Sequence, residues 1–99
     1  MVGTGNTLDD SNYNQVAGVT NDLDFADGNT VAGQSNTLDN ADGNQVAGTL
    51  NVLDLESDGN QVVGMGNTLT DDSNANTVGG LENALSNADS NTVGGARNQ

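Results

Sequence analysis

Residues 28–48 read GNTVAGQSNTLDNADGNQVAG, and the stretch states one pattern three times. Asn29-Thr30-Val31, Asn36-Thr37-Leu38 and Asn44-Gln45-Val46 are each Asn-x-aliphatic, spaced first by seven and then by eight residues. Followed outward, the motif occurs twelve times, starting at Asn6, Asn14, Asn21, Asn29, Asn36, Asn44, Asn51, Asn60, Asn67, Asn76, Asn83 and Asn91. Its aliphatic alternates without exception: Leu8, Val16, Leu23, Val31, Leu38, Val46, Leu53, Val62, Leu69, Val78, Leu85, Val93. The repeating unit is therefore a pair of motifs, 15 residues long and stretched to 16 in two places. A short, fixed period of this kind marks a solenoid.

Each motif is too short and too rich in β-branched residues and Gly for a helix. The alternation predicts a short strand, with Asn and Val/Leu on one side and the x residues on the other. Two strands and two turns make one coil, and stacked coils pair equivalent strands at about 4.8 Å per rung. The expected fold is an all-β, single-domain β-solenoid (β-roll) over residues 1–99. It has about six coils of two short parallel strands, with a wall of Val, a wall of Leu and an apolar seam between them. Gly18, Gly33, Gly48, Gly64, Gly80 and Gly95 are expected to close the Val-to-Leu corner. Asp-Gly at 27–28, 42–43 and 58–59 signals positive φ in the longer Leu-to-Val corner. Both extra residues fall in that corner, between Leu55 and Gly59 and between Asp71 and Ala75. Phe25 and Leu55 align there, with their direction left open. Inward Asn columns fit stacked ladders, bonding amide to amide or to the backbone of the tight corner.

Composition removes most chemistry. Fourteen acidic residues face a single cation, Arg97, for a net charge of −13. That disfavours nucleic acid and anionic membranes, which attract a basic footprint. With no His, Cys or Lys, histidine acid/base catalysis, thiol chemistry and most zinc sites drop out. Paired Asp could serve a glycosidase only in a groove, which a solid two-walled coil does not predict. The expectation is a non-enzymatic chain. No run approaches the roughly 20 apolar residues of a membrane span, and no signal-peptide layout opens the chain. The chain is read as soluble and as extracellular or secreted.

Asn-x-Val-x-Gly at this coil length resembles the ice-binding β-roll family of ryegrass-type antifreeze proteins, built from xxNxVxG repeats. The resemblance spans essentially the whole chain. It implies a left-handed roll and ice with its ordered water as the partner. This sequence departs from the family pattern in its Leu wall, in Gln and Asp among its outward positions, and in lacking Ser-Gly pairs.

Two outer faces are expected. Outside the Val strands run the columns Gln15, Thr30, Gln45, Gln61, Thr77, Thr92 and Ala17, Ala32, Ala47, Val63, Gly79, Gly94. A third column is read as Tyr13, Gly28, Gly43, Gly59, Ala75, Ser90. Apart from Tyr13 this face is small, flat and uncharged. A rigid sheet with hydroxyl and methyl groups on a lattice spacing suits ice, with bridging water joining the two. The plainer reading is that small residues suit a flat sheet, and Gln at three positions favours it.

Outside the Leu strands run Thr7, Asp22, Thr37, Val52, Thr68, Ala84 and Asp9, Asp24, Asp39, Asp54, Thr70, Ser86. Four carboxylates one rung apart repel by about 1 kcal/mol per neighbouring pair even at the dielectric of water. With Asp27, Asp42 and Asp58 they form rows of hard oxygen ligands that could hold Ca²⁺ between rungs. No cofactor is otherwise required. The competing role for these carboxylates is to keep the sheet wet and unpaired.

Met1-Val2-Gly3 aligns with Val62-Val63-Gly64, and Asn98-Gln99 begins a Leu strand, with no recognisable cap at either end. Uncapped strand edges template pairing. They suggest a segment of a longer repeat protein, such as an adhesin stalk, or a chain that associates end to end.

Overall fold

A computed structural model describes all of residues 1–99. The chain is an all-β solenoid of about six turns, and every strand pairs parallel with its equivalents one turn away. One sheet has seven strands: β1 (Val2–Thr4), β3 (Gln15–Val19), β5 (Thr30–Gln34), β7 (Gln45–Thr49), β9 (Gln61–Met65), β11 (Thr77–Leu81) and β13 (Thr92–Ala96). The other has six: β2 (Thr7–Asp9), β4 (Asp22–Asp24), β6 (Thr37–Asp39), β8 (Val52–Leu53), β10 (Thr68–Thr70) and β12 (Ala84–Ser86). We call them the Val sheet and the Leu sheet. Register runs Val16↔Val31↔Val46↔Val62↔Val78↔Val93 and Leu8↔Leu23↔Leu38↔Leu53↔Leu69↔Leu85.

The core is one cluster along the seam. Val31, Val62 and Val78 and Leu23, Leu38, Leu53 and Leu69 are fully buried. A third inward column of small residues completes it: Ala26, Ala41, Ser57 and Ser73 are buried, flanked by Ser11 and Ala88. Sequence reading missed this column. Where it is Ser, the hydroxyl is satisfied locally, as Ser57 Oγ donates to the Asp54 carbonyl (2.7 Å) and Ser73 Oγ to that of Thr70 (2.7 Å).

The Gly column does something other than close a corner. Alternation persists through it, so Gly18 lies inside β3 and the strand continues to Val19. A Cβ at Gly18 would lie 1.8 Å from the Gly33 carbonyl oxygen, and the same collision recurs at Gly3, Gly33, Gly48, Gly64 and Gly80. Glycine is needed here because one backbone lies directly on the next. The Val-to-Leu corner falls two residues later, in a left-handed column of Gly5, Thr20, Ser35, Leu50, Gly66, Glu82 and Arg97.

The Leu-to-Val corner is a pair of left-handed turns. The second carries Tyr13, Gly28, Gly43, Gly59, Ala75 and Ser90, all at φ between 57° and 70°. At the first, Asp10, Phe25, Asn40 and Asn87 have positive φ, and each long coil has two such residues, Leu55-Glu56 and Asp71-Asp72. The extra residues are thus absorbed at that turn without disturbing either sheet. Phe25 and Leu55 point outward, 58% and 52% exposed.

Candidate functional site

Two Asn ladders lock the rungs. In the column before the Leu strands, Asn36 Oδ1 accepts both the backbone N–H of Asn51 (3.1 Å) and its Nδ2 (3.0 Å). Asn36 Nδ2 in turn donates to Asn21 Oδ1 (2.9 Å) and to the carbonyl of Gly48 (3.0 Å). The same set recurs around Asn21, Asn51, Asn67 and Asn83. Before the Val strands, Asn29 N–H donates to Asn14 Oδ1 (2.7 Å) while Asn29 Nδ2 reaches the Ala41 carbonyl (2.9 Å). Nine of these side chains, from Asn21 to Asn83, are essentially inaccessible to water. All of these buried amides but one thus close their bonds on the neighbouring rung, which removes the cost of burying them; the exception is Asn44, whose Nδ2 has no partner.

A third ladder is built from the corner acids. Asp27 N–H donates to Asp42 Oδ1 (2.6 Å), Asp42 N–H to Asp58 Oδ1 (2.7 Å) and Asp58 N–H to Asn74 Oδ1 (2.7 Å). The ladder runs on through Asn74 N–H to Asp89 Oδ1 (2.9 Å) and starts with Asn12 N–H on Asp27. Only an acceptor is required, so Asn and Asp interchange along the column. Asp27, Asp42 and Asp58, expected as candidate Ca²⁺ ligands, are held by this backbone role.

Asp9, Asp24 and Asp39 do lie on the outside of the Leu sheet, in register on successive rungs, and Asp54 follows at the equivalent place in the next coil. Asp54 sits just past β8, where its Oδ1 accepts the N–H of Leu55 (2.7 Å). Asp24 is half-buried, and its Oδ1 is shut off from solvent with no hydrogen-bond partner. Desolvation, and then the charges of Asp9, Asp39 and Asp22, hold its carboxyl above the ordinary range, opposed in part by the Phe25 N–H. No three carboxylates converge to hold a metal ion. A shallow surface depression of about 660 Å³ lies at the two corner insertions beside Asn40, Leu55, Glu56, Asp71, Asp72, Ser86 and Asn87. There Asp71 Oδ2 accepts the hydroxyls of Ser86 (2.7 Å) and Thr70 (3.2 Å).

The Val sheet presents the most regular surface. Gln15, Thr30, Gln45, Gln61, Thr77 and Thr92 form one outward column, and Ala17, Ala32, Ala47, Val63, Gly79 and Gly94 the next, with Val2 heading the second. The third column differs from expectation. Tyr13, Gly28, Gly43, Gly59, Ala75 and Ser90 belong to the corner. The strand's continuation past the Gly instead brings Thr4, Val19, Gln34, Thr49, Met65, Leu81 and Ala96 onto the face. Gln15, Gln45 and Gln61 therefore stand at one margin and Gln34 at the other, and Ala, Val and Gly run down the middle.

No position in these three columns is charged. Thirteen of the acids lie on the Leu sheet or the corner after it. The fourteenth, Glu82, sits at the opposite corner and pairs with Arg97 Nε at 2.9 Å. A molecule of charge −13 thus has one wholly neutral side. No protein-family model matches the chain, and a search of the curated proteins gives no match.

Proposed function

We propose that the chain binds ice through the outer face of the Val sheet. The observation that carries this reading is the neutrality and regularity of that face. Three uncharged columns repeat once per rung, at about 4.8 Å, along a molecule 31 Å long. Rigidity supports it as well, because ladders fix each rung to the next and little order remains to be lost on binding. Thr30, Thr77 and Thr92 supply hydroxyls at one margin and Ala17, Ala32 and Ala47 methyl groups in the middle, so water can be ordered between them. The likeness of the Asn-x-Val-x-Gly repeat to ryegrass-type ice-binding rolls points the same way, and an extracellular setting suits the role. The Leu sheet, with its charged row, is the poorer candidate.

Ice-affinity partitioning tests the proposal. Wild type is expected to enrich in a slowly grown ice fraction, with and without EDTA. Thr30→Lys with Thr77→Lys, which places two cations on the face and leaves the core alone, is expected to stay in the liquid. Wild type left in the liquid, or a double variant that enriches equally, overturns the reading. End-to-end association is the other reading of the ladders.

A further inference from the structure

The neutral face is not uniform along its length. Strands β3 and β5 carry Gln15, Ala17, Thr30, Ala32 and Gln34 with a single large apolar residue, Val19 (45% exposed), whereas β9 and β11 carry three, Val63, Met65 and Leu81. These three are large and about half exposed, at 59%, 49% and 49%. Met65 and Leu81 are register partners, and so are Val63 and Gly79. A Cβ at Gly79 or Gly94 would meet nothing within 4 Å. The face therefore has a protruding Val63 directly beside an empty position at Gly79. Exposed apolar groups clustered in this way mark interaction surfaces more often than chance.

We infer that this half of the Val sheet docks a second copy of the chain, face to face about a twofold axis between β9 and β11. Such an axis sets Val63 of each copy over Gly79 of the other, and a twofold contact requires this kind of reciprocal fit. With the axis running along the strands it also sets Met65 over Leu81 and Gln61 over Thr77 of the opposite copy, so apolar meets apolar and no polar group meets a charge. Electrostatics selects the same face. Two chains of −13 repel wherever their Leu sheets or the corners after them meet, and on this face they can approach without bringing carboxylates together. The overlap is four strands, from β7 to β13, or roughly 19 Å by 16 Å. That is below the usual size of a stable interface, so the dimer is weak and reversible. Strands β1, β3 and β5 stay uncovered, so the dimer leaves Thr30 and the early rungs free for ice while it covers Thr77 and Thr92.

Sedimentation equilibrium of the whole chain over a wide concentration range, in low and high salt, tests this. A reversible dimer is expected, strengthened by salt as repulsion between the acidic sides is screened. Gly79→Val fills the open position, and Met65→Asp puts a charge into the contact. Both positions face solvent and Gly79 lacks a left-handed φ, so both variants keep the solenoid circular-dichroism spectrum. Each is expected to weaken association at least tenfold. A monomer throughout, or dimerisation unchanged in both variants, overturns the inference.

Discussion

A Cβ placed on Gly33 would lie 1.9 Å from the carbonyl oxygen of Gly48, one rung further along. Nothing at that point can yield, because both atoms belong to backbone held in parallel register. Gly43, equally left-handed at φ 67°, has open space around it. Alanine at the two positions should therefore behave very differently. Gly43→Ala is expected to cost about 1 kcal/mol for its left-handed backbone. Gly33→Ala must separate two rungs and is expected to abolish the cooperative melt. Thermal denaturation followed by circular dichroism distinguishes them.

Asn and Asp should exchange freely in one ladder and not in another. Asp42 uses Oδ1 as an acceptor at an exposed corner, so Asp42→Asn keeps the bond and removes a charge. Its effect on denaturant stability should stay within about 0.5 kcal/mol, with a stabilising sign. Asn36 donates through Nδ2 to Asn21 Oδ1 and the Gly48 carbonyl while fully buried. Asn36→Asp turns a double donor into a buried charge facing two acceptors, at a cost of roughly 3 kcal/mol or more. Protonating that carboxyl at low pH should recover part of the loss.

Acid should initially help this protein. The Asp24 carboxyl is raised above its ordinary value of 3.8 by desolvation and by the charges of Asp9, Asp39 and Asp22. Its proton is then held more tightly in the folded chain than in the unfolded one. The ionised form costs stability at neutral pH, and that cost is relieved as pH falls through the raised pKa. The relief is complete once pH is below the unfolded value. Melting temperature should therefore rise as pH is lowered from 7 toward that range. Asp24→Asn should melt above wild type at pH 7, and the gap should close in acid. A melting temperature that falls steadily from pH 7 downward contradicts this.

Deletions should be tolerated by position and not by residue type. Removing Glu56 returns its coil to 15 residues, with Asp54, Leu55 and Ser57 spaced as Asp39, Asn40 and Ala41 already are. Little change in the melt is expected. Removing Ala32 shifts the rest of β5 by one place and turns its outward residues inward. Loss of the folded circular-dichroism signal is the expected result for that variant.

Much of this architecture was legible because period-two alternation and burial agree at Val16, Leu23 and their equivalents. The two Asn ladders, the coil number and the corner that takes the insertions followed from the same spacing. What was misread turned on Gly18 and its column, taken as a corner signal because Gly so often is one. Carrying the alternation two residues further, from Val16 through Gly18, would have put Val19, Met65 and Leu81 on the face. The true corner left little trace in composition, since beside Gly5 and Gly66 its column holds Thr20, Ser35, Leu50, Glu82 and Arg97, ordinary side chains at positive φ. The role of Asp27 was hidden because an acceptor for a backbone N–H and a metal ligand ask for the same atom. Asn12 and Asn74 in that column were the available clue.

Because every interior rung is bound to its neighbours by the same three ladders, a coil is a unit of length that can be inserted or removed whole. The protein is in this sense a ruler whose graduations are set by the peptide hydrogen bond, at about 4.8 Å each. Lengthening it by one coil leaves the existing marks where they are. Selection on such a chain can change how many marks it carries without altering the distance between any two of them.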